Sequence, residues 1–266
     1  MKILITGAHG FVGNRLMQDL DDTVAAPSMR SMSEEQIRNM IEKSRADVII
    51  HTAAISDVGM CEKNREASYE ANVRLPLFLA KAAKEQKLIC FSSDQVYRGC
   101  AGEGPYKEED ASPCNVYGRH KLEMEQRVLD VKPDAVMLRA EWMYDYPTKR
   151  SNYLRMLLNE KQVLTFGKQY RGITYLREVA ENMPKIFMLP GGVYNFGSET
   201  KQTMYDITCE MLHFLKSDRK PEEVPPAHNL WMDCTKAKER GILFSDAKEG
   251  LKRCLKDYHL TKDREE

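Results

Sequence analysis

The 266-residue chain has no excess of charge of either sign, because forty lysines and arginines balance forty aspartates and glutamates. Without a net field, neither nucleic acid nor an anionic membrane is the expected main partner, and a small molecule is the better default. A C-x-x-C pair and clustered Cys/His spacing are also lacking: the seven cysteines are scattered at 61, 90, 100, 114, 209, 234 and 254. That pattern argues against a disulfide framework or a metal site and suits the reduced thiols of a cytoplasmic protein. The longest apolar runs are only strand-sized, so no membrane span is expected. The chain also enters Lys2, Ile3, Leu4, Ile5 without the longer apolar core of a signal peptide. Internal repeats and low-complexity segments are missing as well, and Pro221 to Pro226 reads as a loop rather than a linker.

What is present is an alternation of short β-rich runs with helical patterns, the sequence form of repeated βαβ units. Lys2 to Thr6 reads as a strand, and Val12, Leu16, Met17 and Leu20 give the apolar face of a helix behind it. Thr23 to Ala26 follows as a short strand. Ser33 with Gln36 forms a capping box ahead of Ile37, Met40 and Ile41. Strands are then expected at Asp47 to Thr52, Leu88 to Ser92 and Ala135 to Ala140, with a helical stretch from Glu62 to Lys84 interrupted by Pro76. The predicted class is α/β: a Rossmann-type doubly wound parallel sheet over residues 1–145, with a smaller carboxyl-terminal, substrate-binding lobe over 146–266. In that second part helices are expected near 151–160, 175–188, 203–215 and 246–257, while residues near 162–166 and 192–197 are candidates to return to the main sheet.

Gly7, Gly10 and Gly13 stand as G-x-x-G-x-x-G between the first strand and its helix. Lacking a Cβ, such residues tighten the turn, let backbone approach a diphosphate and let the helix pack on the sheet. The phosphates would lie at the helix amino terminus, where free N–H groups and the positive dipole end stabilise anions. Dinucleotide binding is the expected role, involving His9, Phe11 and Val12 together with the glycines. After the second strand the chain reads Ala26, Pro27, Ser28, Met29, Arg30, with no acid to hold a free ribose 2′-hydroxyl. Arg30 therefore favours NADP(H) over NAD(H), which stays open as the second choice.

Tyr117 and Lys121 stand four apart on one predicted helix capped by Asn115, so their side chains share a face. A phenol with a pKa of ~10 exchanges protons poorly at neutral pH, and a neighbouring ammonium is expected to lower that value. Spacing alone is weak, because Tyr258 and Lys262 repeat it at the charged carboxyl end, where a solvated helix end is the reading. Tyr117 differs in following Ser92 and Ser93, which close the apolar run Leu88 to Phe91. In open α/β sheets ligands gather beyond the strands' carboxyl ends. Alternation along the strand sends only one of the two serines to the cleft.

Together these residues resemble the extended short-chain dehydrogenase/reductase family and, more narrowly, the dTDP-4-dehydrorhamnose reductase group. The resemblance spans MKILITGAHGFVG, HTAAISDV, YEANV, FSSDQVYRG, SPCNVYGRHKLEMEQ and LRAEWMYD, then more loosely QYRGITYLREVAE and NLWMDCTKAKERGI. It implies catalysis by Ser93, Tyr117 and Lys121, with Ala53, Ala54, Tyr117 and Lys121 along the cofactor and Ser93, Asp94 and Trp142 near a sugar. Four positions depart from the pattern: Gly59 replaces an acid, Glu141 replaces a small polar residue before Trp142, Arg171 to Thr174 replace a G-x-P-T-like segment, and Pro226-Ala227 replace an arginine-proline pair. All four lie where the family is expected to hold its substrate, so the catalytic expectation is firmer than the substrate one.

The expected function is NAD(P)H-dependent reduction of a nucleotide-linked 4-keto sugar, in the cytoplasm, with a homodimer favoured by base rates. Two alternatives stay open: an epimerase or dehydratase that returns the hydride within one cycle, and a nucleotide-sensing regulatory subunit that keeps the fold without its chemistry.

Overall fold

The computed structural model describes residues 1–148 and 150–261. Among these the strands are β1 (Ile3–Thr6), β2 (Thr23–Ala25), β3 (Val48–His51), β4 (Lys87–Ser93), β5 (Val136–Ala140), β6 (Trp142–Tyr144), β7 (Thr165–Phe166), β8 (Ile173–Tyr175), β9 (Gly192–Phe196) and β10 (Glu222–Glu223). The helices are α1 (Phe11–Asp19), α2 (Glu34–Ser44), α3 (Val58–Lys63), α4 (Arg65–Tyr69), α5 (Leu75–Ala82), α6 (Val116–Val131), α7 (Tyr153–Leu158), α8 (Leu176–Ile186), α9 (Met204–Phe214), α10 (Thr235–Lys238) and α11 (Ala247–Asp257).

Six strands make one parallel sheet in the order β2-β1-β3-β4-β5-β9. The strand order reverses at β1 and β3, and the crevice beyond their carboxyl ends is where an open α/β sheet receives a ligand. Side-chain alternation gives the sheet two buried faces. Ile3, Ile5, Ile89, Phe91 and Leu138 pack with Leu16 and with α8 residues Leu176, Val179 and Met183. Leu4, Ile49, Leu88, Cys90 and Met137 pack with α2 residues Ile37 and Ile41, with Leu79, and with Met124 and Val128 of α6. Because the inner strands β1, β3, β4 and β5 are covered on both sides, they read as near-continuous apolar runs, whereas the edge strand β2 is half-buried to exposed.

The expected capping box forms: the Gln36 N–H donates to Ser33 Oγ at 3.2 Å and the Ser33 N–H to Gln36 Oε1 at 2.8 Å. Pro76 does not interrupt the chain's helical path. It falls in the first turn of α5, after a wide π-type turn over Glu70–Arg74, where a missing N–H costs little. The break comes earlier, at Asn64, whose side chain caps α4 by accepting from the Ala67 N–H at 3.0 Å.

Beyond β5 the chain does not stay in one lobe. Residues 192–196 do return to the main sheet as β9, in register with β5 from Val136↔Gly192 to Ala140↔Phe196. Residues 162–166 do not, because β9 occupies that edge; Thr165–Phe166 pair instead with Glu222–Glu223. A separate core of Tyr144, Tyr153, Leu157, Ile173, Tyr175, Ile207, Met211 and Leu251 holds the second lobe together. Its small sheet joins β6 to β8 from Trp142↔Ile173 to Tyr144↔Tyr175, which brings the residues around 141 and 171 to one side of the crevice. No helix among the described residues is long and apolar enough to cross a membrane.

Candidate active site

The glycine turn is required by backbone contacts rather than by flexibility. Gly7 has φ +73°, and a Cβ there would lie 2.7 Å from the Ala53 backbone nitrogen. A Cβ on Gly13 would meet the Gly7 carbonyl group, with Gly7 C and Thr52 Oγ1 both at 2.8 Å. These two glycines weld β1, α1 and the chain after β3 together. Gly10 is the α1 N-cap and carries no side-chain cap, and the first turn of the helix has no acid. The N–H groups at that end are thus left for an outside acceptor, and the helix dipole adds positive potential there.

A cavity of about 590 Å³ opens above this turn, bounded by Gly7, Gly10, Phe11, Val12, Ala53 and Ala54 on one side and by Ser93, Tyr117 and Lys121 on the other. Ser93 ends β4 on the parity of Ile89 and Phe91. Its hydroxyl accepts from the Gln95 N–H at 3.2 Å and donates to Asp94 Oδ1 at 3.1 Å. Ser92 points to the other face and donates to Glu125 of α6. Asn115 caps α6 by accepting from the Gly118 N–H at 2.7 Å, and so sets the helix that carries Tyr117 and Lys121.

Tyr117 packs its ring with Cys61, Ile55 and Val58. Burial raises its pKa above the ordinary phenol range, against the hydrogen-bonding pull of Ser93; Asp94 and Cys61 push it further up, and the Arg150 cation draws it down. The expected lowering by Lys121 is not found. The ammonium stands 5.9 Å from the ring centroid and donates to the Phe91 carbonyl at 2.8 Å, so loss of water from the phenol outweighs it. Lys121 is itself only 2% exposed, and burial lowers its pKa to about 8, against the upward pull of Cys90 and Glu125. His51 beneath it is driven to about 3 by burial and by the Lys121 cation, and stays neutral with Nδ1 2.7 Å from Thr6 Oγ1.

The far wall is charged. Asp94, 2% exposed, receives Arg171 Nε at 3.0 Å and Nη2 at 2.8 Å on the same oxygen. The Arg171 guanidinium also lies over the Trp142 ring, 5.3 Å from its centroid. Glu141 is buried beside them, its Oε1 accepting from Thr174 Oγ1 at 2.5 Å and from the Ser198 N–H at 2.6 Å. The carboxyl fits because Gly172 and Gly197 flank it: a Cβ on Gly172 would fall 2.5 Å from Glu141 Cδ, and one on Gly197 2.5 Å from Oε1. Burial raises the Glu141 pKa to about 8, opposed by the bond from Thr174 and reinforced by the negative charge of Asp94.

Of the residues singled out from the sequence, Gly7, Gly10, Phe11, Val12, Ala53, Ala54, Ser93, Asp94, Tyr117, Lys121 and Trp142 bound this one cavity. His9 lies in a neighbouring space of about 310 Å³ around the start of α1. Gly13 is buried under the turn. Arg30 lies exposed in the turn after β2 and borders neither space. In the repeat of the tyrosine-lysine spacing, the Tyr258 hydroxyl accepts from Arg15 Nη1 at 2.7 Å, far in sequence from any strand-end serine. Lys262 lies outside the described residues. Sequence reasoning missed Thr52, Ser56, Arg150 and Asn152, all of which border the larger cavity. A loop arginine or a serine after a strand has no motif to mark it. Glu141 and Arg171 had a signal, as departures from the family pattern, but their pairing with Thr174, Ser198 and Asp94 had none.

The RmlD substrate binding domain model matches residues 1–260 of the chain. The dTDP-4-dehydrorhamnose reductase of Aggregatibacter actinomycetemcomitans is 28% identical, over 94% of this chain and 97% of that protein. The mouse (Mus musculus) methionine adenosyltransferase 2 subunit beta is 27% identical, over 91% of this chain and 83% of its own length. Among solved structures, that of a Bacillus anthracis dTDP-4-dehydrorhamnose reductase in complex with NADP superposes with a TM-score of 0.86. The two cover 97% and 99% of their chains at 22% identity, a likeness of fold.

Proposed function

The chain belongs to the RmlD substrate binding domain family, and from that premise we propose that it is an NADP(H)-dependent reductase of a nucleotide-linked 4-keto sugar, with dTDP-4-dehydrorhamnose as the first substrate to test. The carrying observation is that Ser93, Tyr117 and Lys121 border the same cavity as Gly7, Gly10 and the uncapped start of α1. The cavity and donor set fit a dinucleotide: free backbone N–H groups suit a diphosphate, and the small Ala53 and Ala54 leave room beside the strand ends.

A bound reduced nicotinamide supplies hydride chemistry, and the chain's own groups supply the rest. Ser93 Oγ, fixed at the end of β4, turns its single proton from Asp94 to the substrate carbonyl oxygen. Tyr117 is the proton donor: a phenol whose pKa burial has raised is neutral at physiological pH and holds a proton to give as charge develops on that oxygen. Lys121 holds the cofactor ribose and adds positive potential beside the phenol. Asp94, Arg171 and Trp142 face the sugar, and the lack of an acid after β2 supports the choice of NADP(H) over NAD(H), although Arg30 itself borders neither space. A cytoplasmic location and a homodimer go with this reading; the cysteines, all free, suit a reducing compartment.

The likeness to a methionine adenosyltransferase beta subunit keeps a regulatory reading in view, and net cofactor consumption separates it from the reductase. A panel of nucleotide-linked 4-keto sugars is incubated with NADPH and with NADH while nicotinamide absorbance is followed. Oxidation of NADPH with at least one dTDP-linked sugar is expected, faster than with NADH. Epimer formation with an unchanged cofactor pool would point to an epimerase, and silence across the panel to the regulatory role.

A further inference from the structure

Four described cations border the cleft, and three of them are already engaged. Arg15 pairs with Asp19 at 2.6 Å and Asp145 at 2.9 Å, Arg171 pairs with Asp94, and Lys121 donates to the Phe91 carbonyl. Arg150 differs. Its guanidinium makes one side-chain hydrogen bond, from Nη2 to the neutral Ser56 Oγ at 2.9 Å, and no carboxylate among the described residues pairs with it.

Its position is as telling as its charge. The larger cavity and the neighbouring 310 Å³ space share three bordering residues, Gly10, Phe11 and Arg150. Arg150 therefore stands between the two spaces and beside the start of α1. It comes from the loop between β6 and α7 and reaches across the cleft to the chain after β3. It is also near enough to the Tyr117 phenol to favour its ionised form. A diphosphate carries about two negative charges, more than the roughly half charge of a helix amino terminus can balance. A planar guanidinium offers the paired donors that phosphate oxygens accept.

We propose that Arg150 binds the diphosphate group of the ligand that crosses the start of α1, acting with the uncapped N–H groups as a second clamp. The inference rests on the dinucleotide-dependent reductase reading. Under that reading two ligands carry a diphosphate, the dinucleotide and the nucleotide-linked sugar, and the contact with Gly10 and Phe11 favours the dinucleotide.

The test compares the parent protein with Arg150→Ala and Arg150→Lys, using NADPH and NADH fluorescence for dinucleotide affinity and steady-state KM for the sugar. Arg150 is exposed and its side chain makes a single hydrogen bond, so both variants are expected to fold, which unfolding midpoints without ligand check. R150A is expected to weaken NADPH and NADH equally, by about tenfold, with a flatter salt dependence, and R150K to recover part of the loss. A rise in sugar KM alone, with dinucleotide affinity unchanged, moves the same clamp to the sugar's diphosphate. Loss for NADPH but not NADH would assign Arg150 to a 2′-phosphate and overturn the proposal, as would parental values in every arm. If the parent itself binds neither dinucleotide, the reductase reading fails and takes this inference with it, whereas a parent that binds while R150A matches it sinks the inference alone.

Discussion

At the glycine turn the cleft wall is backbone: Gly7 and Gly13 touch Ala53 and Thr52 so closely that no other residue fits, and the acceptor-seeking groups are main-chain N–H. Across the cleft the wall is side chain, drawn from three separate segments: Asp94 pairs with Arg171 beside Trp142, and the buried Glu141 next to them has its pKa raised by loss of water and by the Asp94 charge. A backbone wall tolerates sequence change provided that its glycines stay, so it suits a ligand shared across a family. A wall of mutually dependent charges changes its preference with one substitution, so it suits a ligand that differs between relatives. Of the four departures from the family pattern, Glu141 and Arg171 border the cavity on this second side, whereas Gly59 lies in α3 and Pro226 against Gly167, away from its lining.

The sharpest way to break the comparison lies at the junction of the two walls. Tyr117→Phe keeps the ring and removes the proton, and kcat is expected to fall about 10² to 10⁴-fold; near-parental turnover would show that the phenol is not the donor. Next comes the backbone wall. Gly13→Ala drives a methyl into the Gly7 carbonyl, which cannot swing aside, and is expected to cost about 1–3 kcal/mol of unfolding free energy together with most dinucleotide affinity. Urea unfolding and cofactor titration read both.

The charged wall predicts a smaller and differently placed effect. Asp94→Asn leaves Arg171 without its carboxylate, and sugar KM is expected to rise about tenfold while dinucleotide Kd stays within about twofold. Equal losses for both ligands would erase the distinction between the walls. The smallest effect belongs to Glu141. Its carboxyl titrates near its ordinary 4.5 in the unfolded chain and at about 8 in the fold. Between those values the folded state holds the extra proton, so stability is complete below pH 4.5 and is lost as pH rises through 8. Glu141→Gln should equal the parent at acid pH and gain on it as pH approaches 8. The amide does not titrate, so the difference grows with pH across that window, and denaturant midpoints measured across pH read it. A constant difference at all pH values would mean that the carboxyl does not titrate as described.

Much of the backbone wall could be read in advance from the residues themselves. The run Leu88 to Ser93 alternates its faces as strands must, which separates Ser93 on the cleft side from Ser92 against Glu125. Ser33 and Gln36 form their cap from a four-residue signature, and the glycine spacing announces the turn. The charged wall was far less legible. Nothing in the residues around 141 reveals that two glycines, 31 and 56 positions later, make room for a buried carboxyl, or that Arg171 reaches back to Asp94. Tyr117 shows the limit most clearly: a lysine four residues away predicts a lowered pKa, but burial, invisible to spacing, reverses the sign.

The sequence by itself determined the parallel sheet, the glycine turn, the capped helix bearing Tyr117 and Lys121, and the serine at the strand end, because backbone sterics and apolar alternation act over a few residues. The tertiary structure alone decided which charges are paired, which phenol, ammonium and carboxyl are stripped of water, and that Arg150 stands between the two spaces of the cleft with no carboxylate partner among the described residues. Desolvation and Coulomb forces act through space, between groups that the chain brings together only when it folds.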